Sequence, residues 1–412
     1  MIKSSLILNK PVFFLRIIFL IYVLGIITKK FLSFQDGFID IFILTVFFIL
    51  LIFRPQKLLE GINSLLSKKF FILFILFTIY FILLSFSSFN TLFLIVLEYL
   101  SVLKWLIYFF IGYLFAYVYP MNNIVFPANV DLTLFTFFVL LYSLLFYNWS
   151  GIGGISTLFG FYENSYASIF SLRSVFAIFG LIVFIYTLNS NKGINIFLLF
   201  SSFVFLFMSG NRKMLIVFLA IIFFLNLQGK YKIVLKIFRW FVTIVLLVVL
   251  TQTVLFQNSI KEYSTVQQPR LYTYLNGFKI AKDYFPIGSG PATFASKGSM
   301  INYSPIYQKY GMDQRWGFRP DDDKHFYNDT YWAQVIGQYG FTGTILLLLI
   351  YFSIMKALPS TTMLLNNHTI LILLLFVSFV TPSLQRIEVA LFIFFLFGIQ
   401  ASIFNNSKKA LK

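Results

Sequence analysis

Three arginines stand where a cation needs a reason. Arg212 sits in the tight turn Ser209-Gly210-Asn211-Arg212-Lys213 between two apolar runs, and Arg270 opens Arg-Leu-Tyr-Thr-Tyr-Leu-Asn-Gly-Phe-Lys directly after Pro269. Arg173 lies about seven residues inside an apolar run, roughly 10 Å deep at the rise of an α-helix. Arginine keeps its charge and donates a planar fork of hydrogen bonds, which suits it to phosphate. An arginine within hydrocarbon costs at least about 2.5–3.5 kcal/mol and usually faces a cavity. The bland alternative for Arg173, and for Arg16, is a side chain that snorkels to the interface.

Other groups widen the chemistry only slightly. His325 has a side chain that titrates near neutrality and follows the acidic run Asp321-Asp322-Asp323. Such a run can hold a divalent ion through oxygen ligands, although consecutive acids on a loop are more often simply solvated. Glu98 and Lys104 lie within a single apolar run, where six residues place them on different faces of one helix. The turn Tyr284-Phe285-Pro286-Ile287-Gly288-Ser289-Gly290-Pro291 is rich in glycine but lacks the Lys-Ser/Thr of a phosphate-binding P-loop. The chain has no cysteine and only two histidines, which excludes thiolate catalysis, Cys-ligated metals and a His-rich metal site.

The elements that position these groups must be membrane helices. Of the 412 residues, 59% are hydrophobic and 11% charged, with a mean hydropathy of +0.87. Soluble domains carry about 45–50% apolar and about 25% charged residues, and disorder requires low hydrophobicity. The formal charge of +18 fits loops that collect Lys and Arg at the cytoplasmic face rather than a nucleic-acid surface. Apolar runs long enough to cross a bilayer occur at 12–28, 38–53, 70–86, 91–117, 131–148, 166–188, 194–209, 213–228, 238–256, 331–355, 367–381 and 387–404. The first has a basic flank but no small-residue cleavage site after it, as expected of a signal anchor.

With the N-terminus placed in the cytoplasm, alternation puts Lys57, Lys68, Lys69, Lys192, Lys230, Lys232, Lys236, Arg239, Lys356 and the tail lysines inside. Few cations fall in the short outer loops, as the positive-inside rule requires. The expected fold is therefore an all-α polytopic integral membrane protein of about twelve transmembrane helices with both termini cytoplasmic. Residues 1–256 would carry helices one to nine, 257–330 one large extracytoplasmic loop, and 331–412 helices ten to twelve and a cytoplasmic tail. A polar segment as long as 257–330 is usually functional.

Four segments then resemble one family, the Wzy-type polysaccharide polymerases and O-antigen ligases of bacterial inner membranes. Leu158-Phe159-Gly160-Phe161-Tyr162-Glu163-Asn164-Ser165-Tyr166-Ala167 resembles the family's segment before a span, and Ser209-Gly210-Asn211-Arg212 its Ser-x-x-Arg turn. Arg270 through Pro286-Ile287-Gly288-Ser289-Gly290-Pro291 resembles its Arg…Pro-Gly-x-Gly segment. Asn328-Asp329-Thr330-Tyr331-Trp332 through Gly337-Gln338-Tyr339-Gly340-Phe341-Thr342-Gly343 resembles its entry into the next span. The order of the segments and their placement on the outer side make the likeness specific. Two departures stand out: His325 lies upstream of Asn328-Asp329 rather than beside the Asn, and Gln338 replaces a Glu.

The resemblance implies a glycosyltransferase-C-like helical fold and inverting, metal-independent transfer of a glycan from undecaprenyl diphosphate. It needs no cofactor, and its partners are lipid-linked glycans, the bilayer, and a chain-length regulator and flippase of the same pathway. Arg212 and Arg270 match the motif arginines that would hold the donor diphosphate, and burial adds Arg173. The matching segments put Glu163, Asn164, Asn328 and Tyr331 among further substrate contacts. The general base is left open between His325 and Asp329.

Two other readings compete with a polymerase. An O-antigen ligase would use a similar site to transfer the glycan to a lipid A core sugar. A flippase for the same lipids would show inverted repeats and helices broken near the membrane centre, neither of which the sequence displays. A metal-dependent enzyme would use acids of the first outer loop, where Asp36 and Asp40 lie.

The orientation has a direct test, because the chain has no native thiol. A single cysteine in 257–330 should react with a membrane-impermeant maleimide in intact cells, and one at Ser407 should not. The reverse pattern would overturn the topology.

Overall fold

The computed structural model describes residues 52–86, 88–119, 195–208, 269–322, 325–327, 329–358, 367–380, 382–386 and 389–410, with scattered positions in 45–49, 133–141 and 179–187. Among these residues the regular structure is helical, with no strand. The helices are α1 (Pro55–Leu66), α2 (Lys69–Ser85), α3 (Leu92–Val102), α4 (Lys104–Val118), α5 (Ile196–Met208), α6 (Pro269–Asp283), α7 (Lys297–Ile301), α8 (Pro305–Lys309), α9 (Tyr331–Ala357), α10 (Asn367–Val380) and α11 (Phe395–Ala410). A π-helical turn, Ala390–Phe394, runs directly into α11.

Apolar runs become helices where expected. α2, α5, α9 and α10 match the runs at 70–86, 194–209, 331–355 and 367–381, and α11 with its π turn extends the run at 387–404. Among the described residues only α9 is by itself long and apolar enough to cross a membrane, and α1–α2 and α3–α4 qualify as bent pairs. The twelve-span count is thus only partly represented. The runs at 12–28, 213–228 and 238–256 lie outside the described residues, and 38–53, 131–148 and 166–188 are described only at scattered positions.

Three expectations are corrected. The run at 91–117 is two helices, α3 and α4, bent by 64° at Leu103, so Glu98 and Lys104 do not share a helix. The stretch 54–69, expected as a loop, holds α1, which starts on Pro55 at its first turn. α1 buries Gly61, Ser64 and Leu65 and makes an 84° corner with α2. Breaks in helices, expected to be missing, are present: Gly340 within α9 has φ 60° and ψ −164°.

The described part of 257–330 is a small folded body rather than an open loop. Ile280, Phe294, Ile306, Tyr307, Met312, Phe318 and Tyr327 form its core. Tyr307 is fully buried, and its hydroxyl accepts from Ala295 N at 2.9 Å and pairs with Ser299 Oγ at 2.7 Å. Burial holds this phenol protonated well above the usual tyrosine range.

The bundle has two polar ends. At one, Ser88 donates to Pro291 O, Asn90 to Ala292 O, Asn302 to Asn90 and Gln385 to Gln334. At the other, Arg54 donates to Val118 O, while Ser64 and Asn405 bond Tyr113.

Helix α4 crosses α11 at two glycines. A Cβ on Gly112 would overlap the Phe395 carbonyl oxygen, and one on Gly398 the Phe109 carbonyl oxygen. The two backbones are therefore in direct contact, as small residues allow in membrane bundles. Gly112→Val or Gly398→Val should lower stability by about 1–3 kcal/mol or more and be seen as loss of monodisperse protein on detergent extraction. Gly311→Ala, in open space though at φ 64°, should keep the bundle intact.

Candidate functional site

Gly340 sets the geometry at the end of the bundle that carries the 269–327 body. The turn at 284–291 straps across the break: Ser289 N donates to Gly337 O at 3.0 Å, Gly290 N to Gln338 O at 2.9 Å and Thr342 N to Pro286 O at 3.4 Å. Tyr80 adds a hydroxyl donor to Tyr339 O at 2.7 Å and to Ile287 O at 3.0 Å. The fit leaves no room for side chains. Gly288 and Gly340 both have positive φ, and a Cβ on Gly340 would lie 2.5 Å from Pro286 O. Only glycine meets both demands.

The strap docks α6 alongside the first half of α9. Gly277 brings the helices close enough that its Cβ would lie 2.8 Å from Ala333 O. Tyr274 OH donates to Phe379 O at 2.6 Å, tying α6 to the end of α10. The start of α6 thus meets the start of α9, and Arg270 Nη2 pairs with Asp329 Oδ2 at 3.3 Å. Both side chains are about one-third exposed, so the pair is open at the protein surface. Asp329 stands just before a helix N-terminus, where negative charge is favoured. Arg270 Nε is buried and makes no hydrogen bond among the described residues.

Beneath the pair lies a buried polar chain. Glu98 of α3, only 3% exposed, accepts from Gln334 Nε2 of α9. Gln334 Oε1 accepts from Gln385 Nε2 at 2.8 Å. One turn further along α9, Gln338 accepts from Ala292 N at 3.0 Å and donates to Phe294 O. Gln338, the position where a Glu was expected, therefore holds the segment after the strap in place. A buried carboxylate and three buried amides, each with a hydrogen-bond partner, line this end of the bundle.

The expected site residues divide accordingly. Arg270 and Asp329 are brought together. His325 is exposed, its ring stacked on Tyr327 at 5.3 Å rather than on the pair. Tyr331, expected to touch substrate, is fully buried, donates to Val102 O at 3.1 Å and accepts from Trp105 Nε1 at 3.2 Å. Asp322 is taken up by the backbone N–H groups of Gly317 and Arg319. Glu163, Asn164, Arg173, Arg212 and Asn328 lie outside the described residues.

Sequence reasoning passed over Gln334, Gln385 and Arg315. The guanidinium of Arg315 lies 4.0 Å over the ring of Tyr272, in the first turn of α6. The i, i+4 spacing of Gln334 and Gln338 on an apolar helix was a readable sign of a polar face.

Residues 196–348 match the model of a protein family described as O-antigen ligase. That stretch is a domain of the Wzy and O-antigen ligase superfamily, and it runs from α5 through α6, α7 and α8 to the middle of α9. It contains Arg212, Arg270, His325 and Asp329. No curated protein matches the chain.

Removing Glu98 should expose the cost of the polar chain. Glu98→Ala leaves the Gln334 amide unpaired in a buried site, at about 1–3 kcal/mol, read as a lower melting temperature in detergent. Glu98→Gln keeps the shape and an acceptor and should lose less than half as much; equal losses would mean that cavity formation, not the hydrogen bond, sets the effect.

Proposed function

We propose, from the membership of residues 196–348 in the Wzy and O-antigen ligase superfamily, that the protein joins oligosaccharide repeat units carried on undecaprenyl diphosphate, as a polysaccharide polymerase at the outer face of a bacterial cytoplasmic membrane. The observation that carries this reading is the Arg270–Asp329 pair, half-open at the end of the bundle that carries the 269–327 body and inside the family-matched stretch.

The reaction needs two things of the protein. A hydroxyl of one repeat unit forms a bond to the anomeric carbon of another, the bond from that carbon to the diphosphate oxygen breaks, and the configuration inverts. Negative charge grows on the leaving diphosphate, and preorganised arginine forks stabilise it as it grows. Arg270 takes this role with Arg212, and Arg173 is the third cation assigned to the diphosphate. The attacking hydroxyl gives up a proton. Asp329 is the preferred acceptor, because a diphosphate that draws Arg270 away leaves the Asp329 carboxylate without its cation and ready to take that proton. His325 is the second choice, on the same segment. Glu163, Asn164 and Asn328 complete the substrate contacts.

The family description favours one further reading, transfer of the glycan to a lipid A core sugar. The two activities part in cells: restoring a polymer ladder in a polymerase-deletion strain supports the first, and restoring core-attached glycan in a ligase-deletion strain the second.

Arg270→Ala and Arg212→Ala should each lower transfer by about 10²–10³ without loss of inserted protein. Arg270→Lys keeps the charge but loses the fork and should also be impaired. The double alanine variant should be little worse than either single, since groups acting as a unit are non-additive. The exchange Arg270→Asp with Asp329→Arg separates structure from function: a merely structural ion pair is rescued by it, a catalytic one is not. Wild-type ladders from well-expressed Arg212→Ala and Arg270→Ala would sink the assignment.

A further inference from the structure

The outer body exposes large apolar side chains in three places: a group along α6 and the strap, Ile301 at the end of α7, and one indole. The group is Leu275, Phe278, Phe285 and Ile287, and Phe285 meets Phe341 of α9 at 6.3 Å. This patch is continuous with the membrane helices and suits lipid. The indole is Trp316, which is 53% exposed. Its chain neighbours are Asp313, Gln314, Arg315, Arg319, Asp321 and Asp322, charges of both signs with no exposed aliphatic among them.

The indole is held out on a rigid turn. Its ring meets Phe326 edge-on at 5.3 Å. Gly317 follows at φ 87°, and a Cβ there would overlap the Phe326 ring. Asp322 accepts from the N–H groups of Gly317 and Arg319, and Phe326 N donates to Gly317 O at 3.0 Å. Arg315, the preceding residue, lies 4.0 Å over Tyr272 and so joins this turn to the first turn of α6, where Arg270 stands. The turn is thus tied to the element that carries the ion pair.

A lone exposed apolar residue is ordinary on a protein surface, but an indole held on a fixed support offers a flat apolar face and an N–H to a ligand. The chemistry around it narrows the ligand. A bilayer would take a cluster of apolar groups, and acids beside a lone indole oppose an anionic membrane. A sugar ring offers an apolar C–H face to the electron-rich indole and hydroxyls to the flanking Arg and Asp side chains. Resting on the lipid-linked glycan reading above, we propose that Trp316 is the stacking face for a sugar ring of the acceptor repeat unit, making the turn 313–322 an acceptor subsite beside the Arg270–Asp329 pair.

The test uses the full chain in phospholipid nanodiscs, with wild type, Trp316→Ala and Trp316→Phe. The probes are repeat-unit oligosaccharides released from the source strain's own surface polysaccharide, and brominated phospholipid. The fluorescence of Trp316 is the difference between wild type and Trp316→Phe, since the chain holds five tryptophans. Oligosaccharide should perturb that difference signal and brominated phospholipid should not. In turnover assays Trp316→Ala should raise the acceptor KM roughly tenfold, near the upper end of what an aromatic pair contributes. Its kcat should stay within about twofold, the mark of binding lost equally from ground and transition states, and Trp316→Phe should recover most of the loss.

Quenching by brominated phospholipid with no response to oligosaccharide would overturn the subsite in favour of a membrane contact. An unchanged KM in Trp316→Ala would overturn it as well. If Trp316→Ala does not fold, the fluorescence comparison with Trp316→Phe still decides. Should Arg270→Ala retain transfer while oligosaccharide still perturbs Trp316, the transfer mechanism falls and the sugar site stands.

Discussion

The arrangement at the end that carries the 269–327 body depends on one unpaired stretch of backbone. A helix broken within or near a bilayer frees carbonyls that hydrocarbon cannot satisfy, so the break survives only where protein supplies the donors. In α9 the break falls at Gly340, and the amides of Ser289 and Gly290 with the Tyr80 hydroxyl supply them. The strap that carries those amides follows directly on α6. Satisfying the break therefore fixes the depth and direction of α6, and with them the point at which Arg270 meets Asp329. A backbone requirement at one glycine positions a charged pair a helix-length away.

The polar chain under that pair follows from the same placement. With the first half of α9 fixed, Gln334 and Gln338 point one way, toward α3 and the segment after the strap. Glu98 meets the first and Ala292 and Phe294 the second. The bend at Leu103 lets α3 leave the line of α4 and reach this level. Each buried polar group is costly alone, and the chain of them makes sense as a single unit spanning α3, α9 and the 383–385 turn.

Much of this was legible in the residues, but unevenly. Apolar runs gave α2, α5, α9 and α10 within a few residues, because length and hydropathy alone define a span. Pro269 announced the start of α6, since proline suits the first turn and no later one. The bends were not legible. Leu103 lies beside Lys104 with no proline or glycine to mark a bend, and Gly340 reads as an ordinary small residue of a membrane helix until the segment that caps it is known. Arg270 could be singled out from its surroundings, whereas its pairing with Asp329 joins distant parts of the chain that no local pattern links. Tyr331 is the converse case: an aromatic beside polar residues fits a ligand contact and a core strut equally well, and its hydrogen bonds to Val102 and Trp105 emerge only in the fold.

The close crossing of α4 and α11 reaches beyond packing. The stretch recognisable as a family domain, 196–348, borrows its walls from both sides of itself in the sequence: α9 leans on α2, Glu98 completes the polar chain from α3, and α11 locks α4 through Gly112 and Gly398. The matched stretch is therefore narrower than the unit that packs. Cut out alone it would lose the helices that wall it on both sides, so it is not a module that could be moved to another chain.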